Sequence, residues 1–155
     1  MILIPVLILQ IFLFPLTVGY IMNQWVDSRQ SLQLQETAGH LGSAIQQIYF
    51  SLNHTTIQAG TLNNTLDIPL TIEGYSYTGT AAWRNNLDAE TNSTKILDVT
   101  LRLSSSKISA NASVILGTNA EWEQSTLRSA VIGSALVAEK SPNGTIQISF
   151  GTSGT

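Results

Sequence analysis

Apolar residues crowd into one end of this chain and then settle into two different periods. From Met1 to Val26 no residue is charged, and 19 of the 26 are Ile, Leu, Val, Met, Phe, Tyr or Trp. Beyond Asp27 and Arg29 the pattern turns amphipathic: Leu34, Ala38, Leu41, Ala44/Ile45, Ile48 and Leu52 recur at alternating spacings of four and three. That is the seam of a helix with one buried face. Gln33, Gln35, Glu36, His40, Ser43, Gln46 and Gln47 fill the other faces, and no proline falls between Asn23 and Asn53. The pattern predicts one helix from near Met1 to about Leu52, roughly 80 Å long at 1.5 Å per residue. Its first half is apolar all round. Its second half carries a single stripe, with Leu34, Leu41, Ile45, Ile48 and Leu52 expected to pack on the rest of the chain. Gly19, Gly39 and Gly42 weaken the helix but would let neighbouring backbones come close.

Past Ala59-Gly60 the period drops to two. Leu66, Ile68, Leu70 and Ile72 alternate with Asp67, Pro69, Thr71 and Glu73, which predicts a half-buried strand ending at Gly74. Tyr75 to Trp83 reads as a weaker strand, and residues 84–94 (RNNLDAETNST) as a polar loop. Leu97, Val99, Leu101 and Leu103 form a clear alternation, followed by another at Ile108, Ala110, Ala112, Val114 and Leu116. The piece from Glu121 to Arg128 is ambiguous. Ala130 to Glu139 and Thr145 to Phe150 predict a hairpin closed by Ser141-Pro142-Asn143-Gly144. Six or seven short strands with no second helix predict a sandwich of the immunoglobulin-like kind. The expected class is α+β: a helical segment over 1–57 (1–26 apolar, 27–57 amphipathic) and an all-β head over 58–155.

Composition narrows the setting. Of 155 residues only 17 are charged, 7 Lys or Arg against 10 Asp or Glu, whereas Ser, Thr, Asn and Gln together number 54. The average globular protein has about a quarter of its residues charged. A net charge of −3 without a basic cluster argues against nucleic acid as a partner. Cysteine is absent, so disulfides, thiolate chemistry and thiolate-bound zinc are excluded.

The apolar segment is long enough, about 39 Å as a helix, to cross a bilayer core of about 30 Å. Nothing basic precedes it and it runs longer than the roughly 7–15 apolar residues of a secretory signal. It must be covered by lipid or by other copies of itself. A basic leader already removed from a longer precursor would account for the missing N-terminal charge.

Five N-x-[ST] sequons begin at Asn53, Asn63, Asn92, Asn111 and Asn143, none in the apolar segment. All are expected to face outward, as N-glycosylation requires. Two histidines, His40 and His54, stand fourteen apart with no ligand cluster around them. Nucleophile elbows, Gly-rich phosphate loops and H-E-x-x-H motifs are missing from the sequence. The acid pairs Asp88/Glu90 and Glu121/Glu123 are the sole candidates for acid–base or cation chemistry, and Trp83 and Trp122 for sugar binding. Solvated carboxylates and core packing are the plainer accounts of both. No cofactor and no enzyme activity is expected.

A charge-free N-terminal helix that continues as an amphipathic one into a Ser/Thr/Asn-rich β domain with sequons resembles the type IV pilin superfamily. The likeness is to its archaeal branch of adhesive pilins and archaellins. It covers the whole chain by architecture, and Met1 to about Leu52 most specifically. Pro5 stands where bacterial pilins usually carry a glutamate, and their C-terminal disulfide is impossible here; both departures favour the archaeal branch. The resemblance implies a leader removed by a prepilin peptidase, a membrane-inserted stage before dedicated machinery assembles the subunit, and an extracellular homopolymer. It implies a filament core packed through Ile4, Leu7, Ile8, Ile11, Phe12, Phe14, Val18, Gly19, Ile21, Met22 and Trp25. Glycosylated β domains would lie outside, serving surface adhesion. A monomeric membrane-anchored module that binds or tethers at the cell surface is the alternative.

Overall fold

The structure, a computed structural model, describes residues 3–84 and 94–152; within the helix, the side chains of 3–9 and 12 lie outside the described residues. One helix, α1 (Leu3–Leu52), runs for 50 residues, about 75 Å. Eight strands follow: β1 (Gly60–Thr65), β2 (Tyr77–Trp83), β3 (Thr94–Leu103), β4 (Ser109–Gly117), β5 (Ala120–Trp122), β6 (Thr126–Arg128), β7 (Ser134–Lys140) and β8 (Ile146–Thr152). They form two four-stranded sheets, ordered β1-β7-β8-β5 and β4-β3-β2-β6. Every pairing is antiparallel except β5 with β8.

The two sheets and the second half of α1 share one core. Leu34, Leu41, Ile45, Ile48 and Leu52 are 0–2 % exposed and sit in one cluster with Leu97, Leu101, Leu127, Leu136 and Ile148. Burying five such side chains contributes roughly 8–15 kcal/mol before entropy is charged against it. The helix packs chiefly on β4, with further contacts to β3, β7, β1 and β8. It therefore lies along the side of the sandwich where β4 and β1 are the edge strands, and meets β4's free edge where Gln35 Nε2 donates to Asn111 O at 3.0 Å and the Tyr49 hydroxyl accepts from Gly117 N at 3.1 Å. Gly42 makes this approach possible: a Cβ there would lie 3.2 Å from Val114 Cγ2 and 3.4 Å from Ala112 Cβ. Gly19 and Gly39 face open space, with nothing within 4 Å of a built Cβ.

Two prolines sit in α1 without ending it. Pro5 falls in the first turn, where the backbone N–H has no helical partner anyway. Pro15 is interior and removes one bond. Two residues on, the Thr17 hydroxyl donates to the Leu13 and Phe14 carbonyls at 3.1 and 2.9 Å.

The strand expected over Leu66–Ile72 is a correction. The ladder lies earlier, over β1, where Gly60–Thr65 pairs with Lys140–Ala135 of β7. Leu66 makes one last bond to Ser134 O, after which the chain passes Pro69, which has no N–H to offer a ladder. A tight turn closes with Ile72 and Tyr75 exchanging backbone bonds of 2.9 Å. Ile72 is buried, Leu66 and Ile68 are half-buried and Leu70 is 51 % exposed, so the alternation marks burial only in part and pairing not at all. The ambiguous stretch resolves into β5 and β6 on different sheets.

Candidate assembly surfaces

The two halves of α1 differ in what covers them. Phe14, Leu16, Tyr20 and Trp25 are 68–73 % exposed, and Ile11, Leu13, Ile21, Met22 and Val26 48–64 %. At about 100° per residue, Phe14, Val26, Leu16 and Leu13 point roughly 0, 120, 200 and 260° around the axis. Large apolar groups thus face every direction, and no single partner surface could cover them. Of the residues expected to pack a core, Ile11, Phe14, Val18, Gly19, Ile21, Met22 and Trp25 all lie in this bare stretch. The side chains of Ile4, Leu7, Ile8 and Phe12 lie outside the described residues. Among the described residues no part of the helix is long and apolar enough to cross a membrane. Gln10, Thr17, Asn23 and Gln24 interrupt the apolar run. The expected apolar segment over 1–26 lies only in part within these residues, since the side chains of 1–9 and 12 are outside them.

Two clasps fix the helix to the head, one at each end of the contact. Where the bare stretch begins, Glu73 Oε1 lies 3.9 Å from Arg29 Nε and accepts a 3.4 Å bond from Gln33 Nε2. Glu73 reaches them from the two-residue turn, with φ of 49° at Glu73 and 83° at Gly74. Such a turn needs left-handed backbone at both positions, which at a non-glycine costs roughly 1–2 kcal/mol.

At the far end, Lys140 is 8 % exposed and its Nζ donates to the carbonyls of Leu52 and His54 at 2.9 and 3.2 Å. A cation is thereby set on the negative end of the helix, where the last carbonyls lack partners. Beside it the Tyr49 hydroxyl donates to Asn119 Oδ1 at 2.7 Å and accepts from Gly117 N at 3.1 Å. Asn119 Nδ2 in turn donates to Asn53 Oδ1 and Gly144 O.

Asn53, Asn63, Asn111 and Asn143 are all exposed. Asn63 stands in the middle of β1, an edge strand whose residues are nearly all exposed. In the turn, Asn143 Oδ1 accepts from Thr145 N at 3.0 Å. Asn92 lies outside the described residues, as do Asp88 and Glu90. Glu121 and Glu123 are exposed. Trp83 is half-buried, with Lys95 Nζ 5.4 Å from its ring centre. Trp122 stacks edge-on against Phe150 at 4.8 Å. His40 lies 3.9 Å from Glu36 on an exposed face, and His54 Nδ1 is 3.1 Å from Thr56 Oγ1. Among the described residues no three His, Asp or Glu side chains gather to hold a metal.

On the outer face of β2-β3-β4, Arg84 forks onto Asp98, with Nη2 2.6 Å from Oδ1 and Nε 2.8 Å from Oδ2. The Ser113 hydroxyl adds a 2.7 Å bond to the same carboxylate. Hydrogen bonds from Arg84, then from Ser113, hold the Asp98 carboxyl below its ordinary value. Tyr77 is 1 % exposed and donates to Pro69 O at 2.6 Å; burial pushes its hydroxyl up to about 12.

Compared with family models, with curated proteins and with solved structures, the chain matches none. The sequence pattern gave no sign of Lys140, Tyr49, Asn119 or Glu73. Their partners lie 40 to 88 residues away in the chain.

Proposed function

We propose that this chain is the structural subunit of an extracellular helical filament of the type IV pilin kind, in its archaeal form. The observation that carries the proposal is the contrast along one helix. Residues 34–52 put one stripe into the head, whereas the described side chains between 11 and 26 offer large apolar groups on all sides that no other described residue covers. A bundle of identical helices supplies cover from every direction. Side-chain fit would guide it, since apolar segments leaving lipid gain little hydrophobic energy on meeting each other. The sandwich heads would form the outer sheath, with exposed Asn53, Asn63, Asn111 and Asn143 open to glycosylation and adhesion as the filament's use. No catalytic role is assigned to any residue.

Leu13→Asp tests this. Leu13 is 54 % exposed, so in the single subunit the change should be nearly neutral. In a packed apolar core the carboxylate has no partner, and burying it costs several kcal/mol in every subunit. The expected result is loss of filaments with the thermal unfolding of the head unchanged. Normal filaments built from Leu13→Asp subunits would refute the helix-core proposal.

A further inference from the structure

Two rows of like charge stand on the head with matching spacing. On the outer face of one sheet, Thr78 of β2 pairs with Arg128 of β6 on one side and with Arg102 of β3 on the other. On the outer face of the other sheet, Gln147 of β8 pairs with Glu139 of β7 and with Glu121 of β5. Each row thus places two like charges two strands apart, about 10 Å, across one neutral residue. All four charged residues, and Thr78 and Gln147 between them, are exposed. Lys107, in the turn between β3 and β4, adds a third cation near the first row. Glu123, two residues past Glu121, adds a third acid near the second. Among the described residues none of these six is in an ion pair; the pairs present are Arg29–Glu73, His40–Glu36 and Arg84–Asp98.

The rows also lie at opposite ends of the head. Tyr77, next to Thr78, is bonded to Ser129, and Ser76 to Ser104, at the end where Glu73 meets Arg29 and the bare helix leaves. Gln147 and Glu139 adjoin Ile146 and Lys140, and Lys140 caps the helix at Leu52, the other end.

Resting on the filament proposal above, we infer that the Arg102/Arg128 row of one copy docks on the Glu121/Glu139 row of the next. Two different patches make a head-to-tail contact, the kind that propagates instead of closing into a dimer. Opposite charges meeting across it fix the register and exclude other alignments, because like charges brought together are costly. In a chain with only 17 charged residues, this contact supplies specificity that the apolar helices, which can slide, do not.

The test uses the full chain in its own cells in place of the wild-type copy. Arg102→Glu with Arg128→Glu, and separately Glu121→Arg with Glu139→Arg, should each lower the filament yield of the sheared surface fraction at least tenfold. The quadruple exchange should restore it to within threefold of wild type. Arg102→Gln with Arg128→Gln, a milder pair on the same exposed strands, should give an intermediate loss with unchanged thermal unfolding. Wild-type yield from both double reversals would overturn this contact and leave the filament proposal standing. No filaments from the wild-type chain itself would overturn both. If the double reversals keep their filaments but lose wild-type binding to phosphatidylglycerol vesicles, the cation row serves an anionic lipid surface and the contact between copies is refuted.

Discussion

Lys140→Met should weaken the joint between helix and head more than any comparable surface change. Methionine keeps the length and apolar character of the stem, so the packing that leaves Lys140 8 % exposed is largely retained. What is lost is a cation donating at 2.9 Å to Leu52 O and at 3.2 Å to His54 O. Hydrogen bonds to a charged group contribute about 1.5–3 kcal/mol each, and a partly buried cation at a helix C-terminus up to about 2 kcal/mol. Relief of the lysine's own desolvation offsets part of this. The net loss is about 2 kcal/mol. For a chain of 155 residues that lowers Tm by roughly 4–8 °C, at about 2–4 °C per kcal/mol. The assay is thermal unfolding of the full chain in mild detergent, followed by far-UV circular dichroism, with exposed Lys107→Met as control. Hydrogen exchange adds a local reporter: the Asn53 amide, bonded to Tyr49 O at 2.8 Å, should exchange faster. If Lys140→Met melts within about 3 °C of the parent and Asn53 exchange is unchanged, the cation does not hold the helix end.

Three further outcomes follow from the same geometry. Tyr49→Phe removes a hydroxyl that serves Asn119 and Gly117 at once and leaves the Gly117 amide unpaired, a loss of about 1–3 kcal/mol read by the same melt. Asp98→Asn should lower Tm slightly at pH 7. The carboxyl's depressed value gives stability above its unfolded value near 4, lost as pH falls through the folded one; the gap to the parent should therefore close in acid. Tyr77 acts in the opposite sense: its contribution is complete below about 10 and declines as pH rises toward about 12, so Tyr77→Phe should flatten the alkaline loss of stability.

How much of this could be read in the sequence depended on whether burial followed a short period. The stripe from Leu34 to Leu52 shows because one helix face meets the head along its length. Leu97–Leu103 and Ala110–Leu116 show because the inner face of their sheet is apolar throughout. β1 stayed hidden because an edge strand of sequence GTLNNT carries almost no alternation and is held by its ladder to β7. Leu66–Ile72 misled because Leu66, Ile68 and Ile72 pack on the core from a stretch that forms no ladder, while Leu70 stays exposed. The clasps and the charge rows were out of reach for a further reason. Lys140 meets Leu52 across 88 residues, and Arg102 and Arg128 become neighbours only through Thr78 between them.

The central claim is that the bare half of α1 is covered by other copies of the same chain. Electron microscopy of material sheared from the cell surface, with intact mass on the same fraction, tests it most directly. The account predicts uniform filaments made of this chain, heavier than its 16.7 kDa by sugar-sized steps. A chain that stays in the membrane pellet and emerges only in detergent, as a single copy, would contradict it.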